Sequence, residues 1–335
     1  MFIKFLDIKI NITSKKKGRR KMEANKNTFW KRFKKQGAIQ LFVWIGILYL
    51  VIFNVIPMFG ILMAFKDYSI SDGIKGIFTS EWVGLKYFIE FVTDYKFGRL
   101  VRNTVALSVL KLVFTFPVPI IFALMVNEIR NLKFKKILQT CSYLPHFISW
   151  VIISSISYQF FSQSGIINTL LEKFHLIEKP IKFLTDADMF WGMAVSLDIW
   201  KEMGWWTIIF LAAIVGISQD LYEAAQIDGA TRLQRIRYIT LPCIKGTIVV
   251  VLIMTMGNLF GGGLSGSNFE QSYLLGNSVN ADTSEIIQTY VFDVGLAQGR
   301  YAYATAVGLI QSVISLVLIF VSNFFSKKFA GTGLF

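Results

Sequence analysis

The stretch LYEAAQIDGATRLQRIRYITLP, Leu221–Pro242, is polar and charged, yet strongly apolar segments flank it on both sides. Asp220 and Glu223 stand in the D-x-x-E spacing of a helix start, where one side chain caps and the other reaches back. Leu221, Ala224, Ala225 and Ala230 supply a small apolar face. Gly229 interrupts the helical pattern and permits a sharp turn. Arg232, Arg235 and Arg237 follow, then Ile239, Leu241 and Pro242. The segment therefore reads as helix, turn, helix. An ordinary amphipathic connector would look much the same, but a face of small residues also lets another protein approach closely.

The flanks set the class of the molecule. The chain has 335 residues, 54% of them apolar, with 31 Phe and a mean hydropathy of +0.52. Soluble domains average about 45–50% apolar. Runs of about 20 apolar residues, enough to cross ~30 Å of hydrocarbon, recur along the chain. The expectation is an all-α, polytopic membrane protein with six transmembrane helices, near 38–65, 99–126, 137–162, 189–217, 246–264 and 303–325. A β-barrel would instead alternate in short segments. Pro57, Pro117, Pro119 and Pro145 fall inside these spans, where kinks are expected.

Basic residues set the orientation. Lys and Arg concentrate in the first 37 residues, in 130–136, in 232–245 and at Lys327 and Lys328, with few acids among them. The remaining segments are richer in acid than in base, so both termini are expected on the cytoplasmic side (N-in, C-in). The excess charge is thus a topology signal, and no compact basic domain is left to bind nucleic acid. Residues 1–37 read as a basic cytoplasmic tail and 38–335 as the transmembrane domain, with the polar loop spanning 218–245. KKKGRRK immediately precedes Met22, and Gly-Arg-Arg is encodable by a purine tract like a ribosome-binding site. Two readings stand side by side: residues 1–21 are not translated, or they form a polybasic tail against anionic membrane lipid.

Between spans, 66–98, 163–188 and 265–302 form substantial outer loops, the second with apolar spacing suited to a short amphipathic helix. Cys141 and Cys243 are expected as free, buried thiols rather than a disulfide framework. His146 and His175 lack metal-ligand spacing, and no cofactor is expected.

Glu223-Ala224-Ala225, Asp228-Gly229-Ala230 and Ile239-Thr240-Leu241-Pro242 resemble the EAA loop of bacterial ABC importer permeases. RNTVALSV (102–109), LPHFISW (144–150) and YVFDVGLAQGRYAYATAVGL (290–309) are similar to the oligosaccharide and polysaccharide subgroup of the carbohydrate-uptake, binding-protein-dependent family. The Gly-rich stretch within 257–277 departs from that pattern. The resemblance implies a multi-pass subunit in the bacterial cell membrane, paired with a second homologous permease. It also implies two ATPase subunits below and a substrate-binding protein above, with a carbohydrate as cargo. On that basis Glu223, Ala224, Ala225, Asp228, Gly229, Ala230, Arg232 and Arg235 would form the ATPase-coupling helix. The sequence contains no G-x-x-x-x-G-K-[ST] phosphate loop, so ATP hydrolysis is expected on the partner and this chain is not read as an enzyme.

Intramembrane polar residues are candidates for the substrate path. Asp198, Lys201 and Glu202 share a helical face and suit either a polar lining or a local salt-bridge cluster. Lys111, in the second span, suits either a functional role or pairing with another subunit. Tyr158, Gln159, Trp200 and Asn258 combine planar hydrogen-bonding groups with an aromatic platform and are the expected substrate-path residues. Helix–helix contacts use the same residue types. The competing functional class is a secondary transporter driven by an ion gradient, which predicts inverted repeats and a coupling carboxylate near the midplane.

Overall fold

The computed structural model describes residues 36–331 and 333; the start-site question and the basic tail up to residue 35 lie outside the described residues. Helices dominate, and among the described residues the sole β pairing is an isolated bridge between Lys66 and Trp82. The chain divides into two units, Met1–Ile61 and Leu62–Phe335.

In the first unit the Gly37–Leu50 helix continues through a π-turn, Val51–Val55, into the short Ile56–Met58 helix that holds Pro57. Its side chains are apolar except for Gln40 and Asn54, and residues 41–59 are exposed throughout.

Four helices are long and apolar enough to cross a membrane: Ile39–Phe65, Phe97–Asn127, Arg232–Gly257 and Tyr301–Lys328. A fifth is obtained if Ala187–Val215 and Gln219–Ile227, bent by 71° from one another, count as one span. The expected span at 137–162 is instead two half-length pieces, Leu132–Tyr143 and Trp150–Phe161. Between them lie a 3-10 turn, Leu144–Phe147, and an extended link at Ile148 and Ser149. The break is local chemistry. Pro145 has no N–H to continue the first helix, and the Ser149 hydroxyl accepts from Ile152 N to start the second. A kink is expected at Pro117, and there, within one long span, Phe97–Phe114 gives way to Pro117–Asn127.

The expected fifth span is displaced toward its N-terminus. It begins at Arg232, where Thr231 and Gln234 form a capping box, and stops at Gly257. Asn258 then holds a tight turn: its carbonyl accepts from Gly261 N and Gly263 N, and its amide donates to Gly263 O at 3.1 Å. Gly262 sits at φ +112°, and a Cβ there would lie 2.8 Å from Ser267 N. That is why this stretch is Gly-rich.

Three buried apolar clusters organise the second unit. Tyr87, Phe91, Leu100, Tyr290 and Tyr303 join the Lys86–Thr93 helix to the start of the last span. Leu107, Phe190, Ala194 and Leu275 form a middle cluster. Ala123, Val126, Phe210, Ile214 and Ile244 gather the opposite helix ends. The loops of the unit are pinned by polar links. Glu285 bridges Lys96, at 3.1 Å, and Arg99. Asn168, in the short Ile166–Lys173 helix, pairs with both the N–H and the carbonyl of Ile181 at 2.9 Å. Tyr87 donates to Asp67 at 2.5 Å; this bond holds Asp67 below the ordinary carboxylate range, while burial and the same bond push Tyr87 up to about 12.

Gly204 marks a close approach of two helices. A Cβ on it would lie 2.1 Å from the Ser142 carbonyl oxygen, so the Phe190–Val215 helix meets Leu132–Tyr143 backbone to backbone. Gly204→Ala should therefore destabilise by about 1–3 kcal/mol through overpacking. Gly246→Ala, at a position with nothing within 4 Å, should be neutral or slightly stabilising. Thermal unfolding of the detergent-solubilised protein compares the two.

Candidate functional site

Two polar regions lie at different heights of the second unit. The first is the bent limb after the fourth expected span. Ser218, not Asp220, is the N-cap of Gln219–Ile227: its hydroxyl accepts from Asp220 N at 3.3 Å. The expected reciprocal cap by Asp220 and Glu223 is thus replaced by a cap two residues earlier. Gly229 has φ +75° with open space around it, so it makes the turn the sequence called for. Glu223, Ala224, Asp228, Gly229 and Arg232 are exposed, whereas Ala225, Ala230 and Arg235 are half-buried. The Tyr222 and Thr240 hydroxyls lie 2.9 Å apart and tie the two arms of the limb together.

The limb also displays apolar side chains that the sequence pattern did not single out. Ile227 is 87% and Leu233 75% exposed, on either side of the glycine turn. Isolated apolar residues are common on surfaces, but a pair flanking an exposed turn forms a contact edge. Their signal was present in the sequence as apolar residues next to Asp-Gly, where turn chemistry drew attention first.

The second region is a buried polar centre. Lys111 lies 3.4 Å from Asp198, and both side chains are essentially inaccessible. Lys111 donates to Ser267 at 2.7 Å, and Ser267 donates to Asp198 at 2.6 Å. Lys111 therefore finds its partner within the chain rather than on another subunit. Asn268 reaches Ser108 and Gln271 reaches the Ala194 carbonyl, so the segment after the glycine turn is bonded to both neighbouring helices. Asp198 does not pair with Lys201. Lys201 instead pairs with Glu202 at 3.4 Å and donates to the His146 carbonyl, and Glu202 meets His146 Nδ1 at 2.9 Å. The His146 ring stacks coplanar on Trp205 at 4.3 Å.

This second cluster opens on the helix break. A cavity of about 490 Å³ is lined by His146, Ser149, Trp150, Lys201, Glu202 and Glu270, among others. Non-helical backbone at membrane depth is tolerated where protein covers it or where it borders a watery cavity. A second cavity of about 590 Å³, mostly apolar, is lined by Trp200 with Ile153, Phe160 and Ser196.

Of the expected path residues, Trp200 lines that cavity and is 45% exposed. Tyr158 and Gln159 are exposed near the end of the Trp150–Phe161 helix, without lining either cavity. Asn258 is engaged in the glycine turn. The structure does not gather these four residues around one space. Cys141 and Cys243 are free but exposed, correcting the expectation of buried thiols. No group of three metal-ligating residues occurs among the described residues.

Residues 115–331 match the family described as binding-protein-dependent transport system inner membrane component. Protein LplB of Bacillus subtilis (strain 168) is 48% identical over 291 residues, covering 87% of this chain and 88% of that protein. The polygalacturonan/rhamnogalacturonan transport system permease protein YteP of the same organism is 43% identical over 301 residues, covering 90% and 91%. Among solved structures, a bacterial ABC transporter involved in the import of the acidic polysaccharide alginate contains a chain matching with TM-score 0.81 and 38% identity, covering 90% of this chain and 99% of that one.

The buried pair generates a clear expectation. Lys111→Met alone strands a buried carboxylate and should cost about 3–5 kcal/mol. Combining it with Asp198→Leu removes both charges and should recover most of that loss. Unfolding midpoints of the single and double variants in detergent measure the difference.

Proposed function

We propose, from the premise that the chain belongs to the family of binding-protein-dependent transport system inner membrane components, that it works as one half of the membrane passage of a bacterial ABC importer for oligosaccharides or polysaccharide fragments. It is a multi-pass sugar permease of that importer class, and nothing in its relatives supports a secondary transporter driven by an ion gradient. The finer reading has six crossings with both ends cytoplasmic, in the bacterial inner membrane. A second, homologous permease completes the passage, two ATPase subunits hydrolyse ATP, and an extracytoplasmic binding protein delivers the sugar. A solved relative was captured with an alginate pentasaccharide-bound periplasmic protein, which supports that last partner.

The observation that carries the reading is the bent limb. Its edge of Glu223, Ile227, Asp228 and Leu233 is exposed among the described residues. Yet at one end it runs from the Phe190–Val215 helix and at the other into the Arg232–Gly257 span. A partner that grips this edge pulls on two spans at once. Glu223 would face a basic group of the ATPase, and Gly229 would let the turn enter its groove.

For the cargo path, the geometry favours the break between the Leu132–Tyr143 and Trp150–Phe161 helices. His146, Trp150 and Glu202 offer aromatic faces and hydrogen-bonding groups beside a cavity, the chemistry that sugar hydroxyls need when they leave water. Trp200, on the same helix as Glu202, offers a further aromatic face in the separate, apolar cavity. Two relatives of stated cargo, those for alginate and polygalacturonan, handle acidic chains, which makes uronate-rich fragments the first substrates to test.

Two outcomes are expected with the assembled transporter. Glu223→Ala combined with Gly229→Val removes a charge-assisted contact worth about 1.5–3 kcal/mol and strains the turn, so ATPase retention and sugar uptake should fall roughly tenfold or more. Wild-type retention and uptake by this double variant would remove the coupling role from the limb. Trp200→Ala, by contrast, should lower sugar uptake while leaving ATPase retention unchanged; transport assays beside pull-downs separate the two effects.

A further inference from the structure

At the boundary where three spanning segments end, the chain forms a positively charged cavity of about 420 Å³, lined among others by Asn127, Glu128, Arg130, Val215, Arg232 and Arg235. Asn127 is the last residue of one span, Val215 ends the Phe190–Val215 helix, and Arg232 begins another span. The cavity therefore sits where apolar, membrane-length helices end and the polar limb begins. Its charge is unbalanced. Glu128 is the one acid among its lining residues, and its contact with Arg232 is loose at 3.9 Å. Among the described residues, no hydrogen bond or ion pair engages the guanidinium of Arg130 or of Arg235.

Three guanidinium groups around one space favour an anion with planar, forked oxygens, and a phosphodiester meets that demand. The surroundings narrow the source. On one side Met125, 62% exposed, and Val215, 73% exposed, present apolar surface leading away from the cavity. On the other, Leu132 at 78% and Phe134 at 55% exposure alternate with Lys133 and Lys135. A soluble anion would use the arginines alone. A lipid uses both features, placing its headgroup in the basic cavity and its acyl chains along the apolar surface. A zwitterionic headgroup brings its own cation toward the arginines, so a net-negative lipid fits best.

We propose that this cavity is a binding site for the phosphodiester headgroup of an anionic phospholipid, such as phosphatidylglycerol. Because Arg232 and Arg235 open the span that follows the bent limb, a lipid seated there would brace the limb from the membrane side. The inference rests on the chain spanning a membrane, not on the identity of its cargo.

The test uses the complete transporter complex in nanodiscs of phosphatidylcholine containing graded fractions of phosphatidylglycerol. Lipid retained after detergent washing is read by native mass spectrometry, so the result does not depend on sugar uptake. The wild type should retain phosphatidylglycerol in preference to phosphatidylcholine. Arg130→Gln should lower that retention about fivefold, the effect of one basic residue at a lipid surface. Glu128→Gln should raise it, a gain that misfolding does not produce. Unchanged retention in Arg130→Gln, or a decrease in Glu128→Gln, would overturn the proposal. So would displacement of the lipid by low concentrations of inorganic phosphate, which would mark a free-anion site. Loss of the ATPase subunits from Arg130→Gln with lipid retention intact would reassign the cavity to a protein contact and also overturn it.

Discussion

The structure depends on keeping one pair of charges, Lys111 and Asp198, out of water. An isolated ammonium or carboxylate in that setting costs several kcal/mol, so each tolerates burial only while the other stays in place. The pair is closed by Ser267, which accepts from Lys111 and donates to Asp198. Each member comes from a different part of the chain: Lys111 from the Phe97–Phe114 helix, Asp198 from Phe190–Val215, and Ser267 from the segment after the glycine turn. The interaction contributes less to net stability than to uniqueness, because a shift of either helix by one residue would leave a bare charge. It also accounts for the glycines. Positive φ at Gly262, Gly263 and Gly266 carries the chain back so that Ser267 can reach the pair.

That fixed centre shares one helix with two other regions. Beyond Asp198 along Phe190–Val215 come first the break in the third expected span, which borders a cavity, and then the limb, whose Tyr222 packs against the body. The Phe190–Val215 helix is continuous across the first two and ends at the third. It carries Glu202 and Trp205, which contact His146 at the break, and Phe210 and Ile214 in the cluster near the limb. A single rigid element thus touches both the proposed cargo wall and the proposed ATPase contact. Its close approach at Gly204 is to the first half of the broken span. Mechanical communication through a packed helix of this kind needs no continuous chain of polar contacts.

Much of this was legible in the sequence. Helical class followed from the long apolar runs, and the glycine turn at Gly229 followed from one residue in an otherwise helical polar stretch. A kink at Pro117 was also foreseeable from backbone chemistry, and the helix is interrupted there. What could not be read were choices made by tertiary partners. Ser218 competes with Asp220 for the same cap, and both are good capping residues; only the backbone direction at the 71° bend selects Ser218. Asp198 has Lys201 one helical turn away, yet it pairs with Lys111, distant in sequence, because the local partner is taken by Glu202. Asn258 has the composition of a sugar-binding residue but is consumed by the turn it terminates. Pro145 was read as a kink, and the addition of a capping Ser149 four residues later turned that kink into a true interruption.

The π-turn at Ile236–Thr240 has a consequence for how such a chain can evolve. A π-turn accommodates one residue more than regular α-helix would. An α-helix turns by about 100° per residue, so a deletion inside regular helix re-aims everything beyond it. Deleting a single amino acid within 236–240 instead removes the surplus residue and leaves regular helix, with Leu233 and Arg235 still on the side they occupy now. The junction between limb and span is thus a point where the chain can change length by one codon without re-aiming its contact surface. Substitutions elsewhere in the limb alter what the partner touches; a one-residue loss here leaves where it stands.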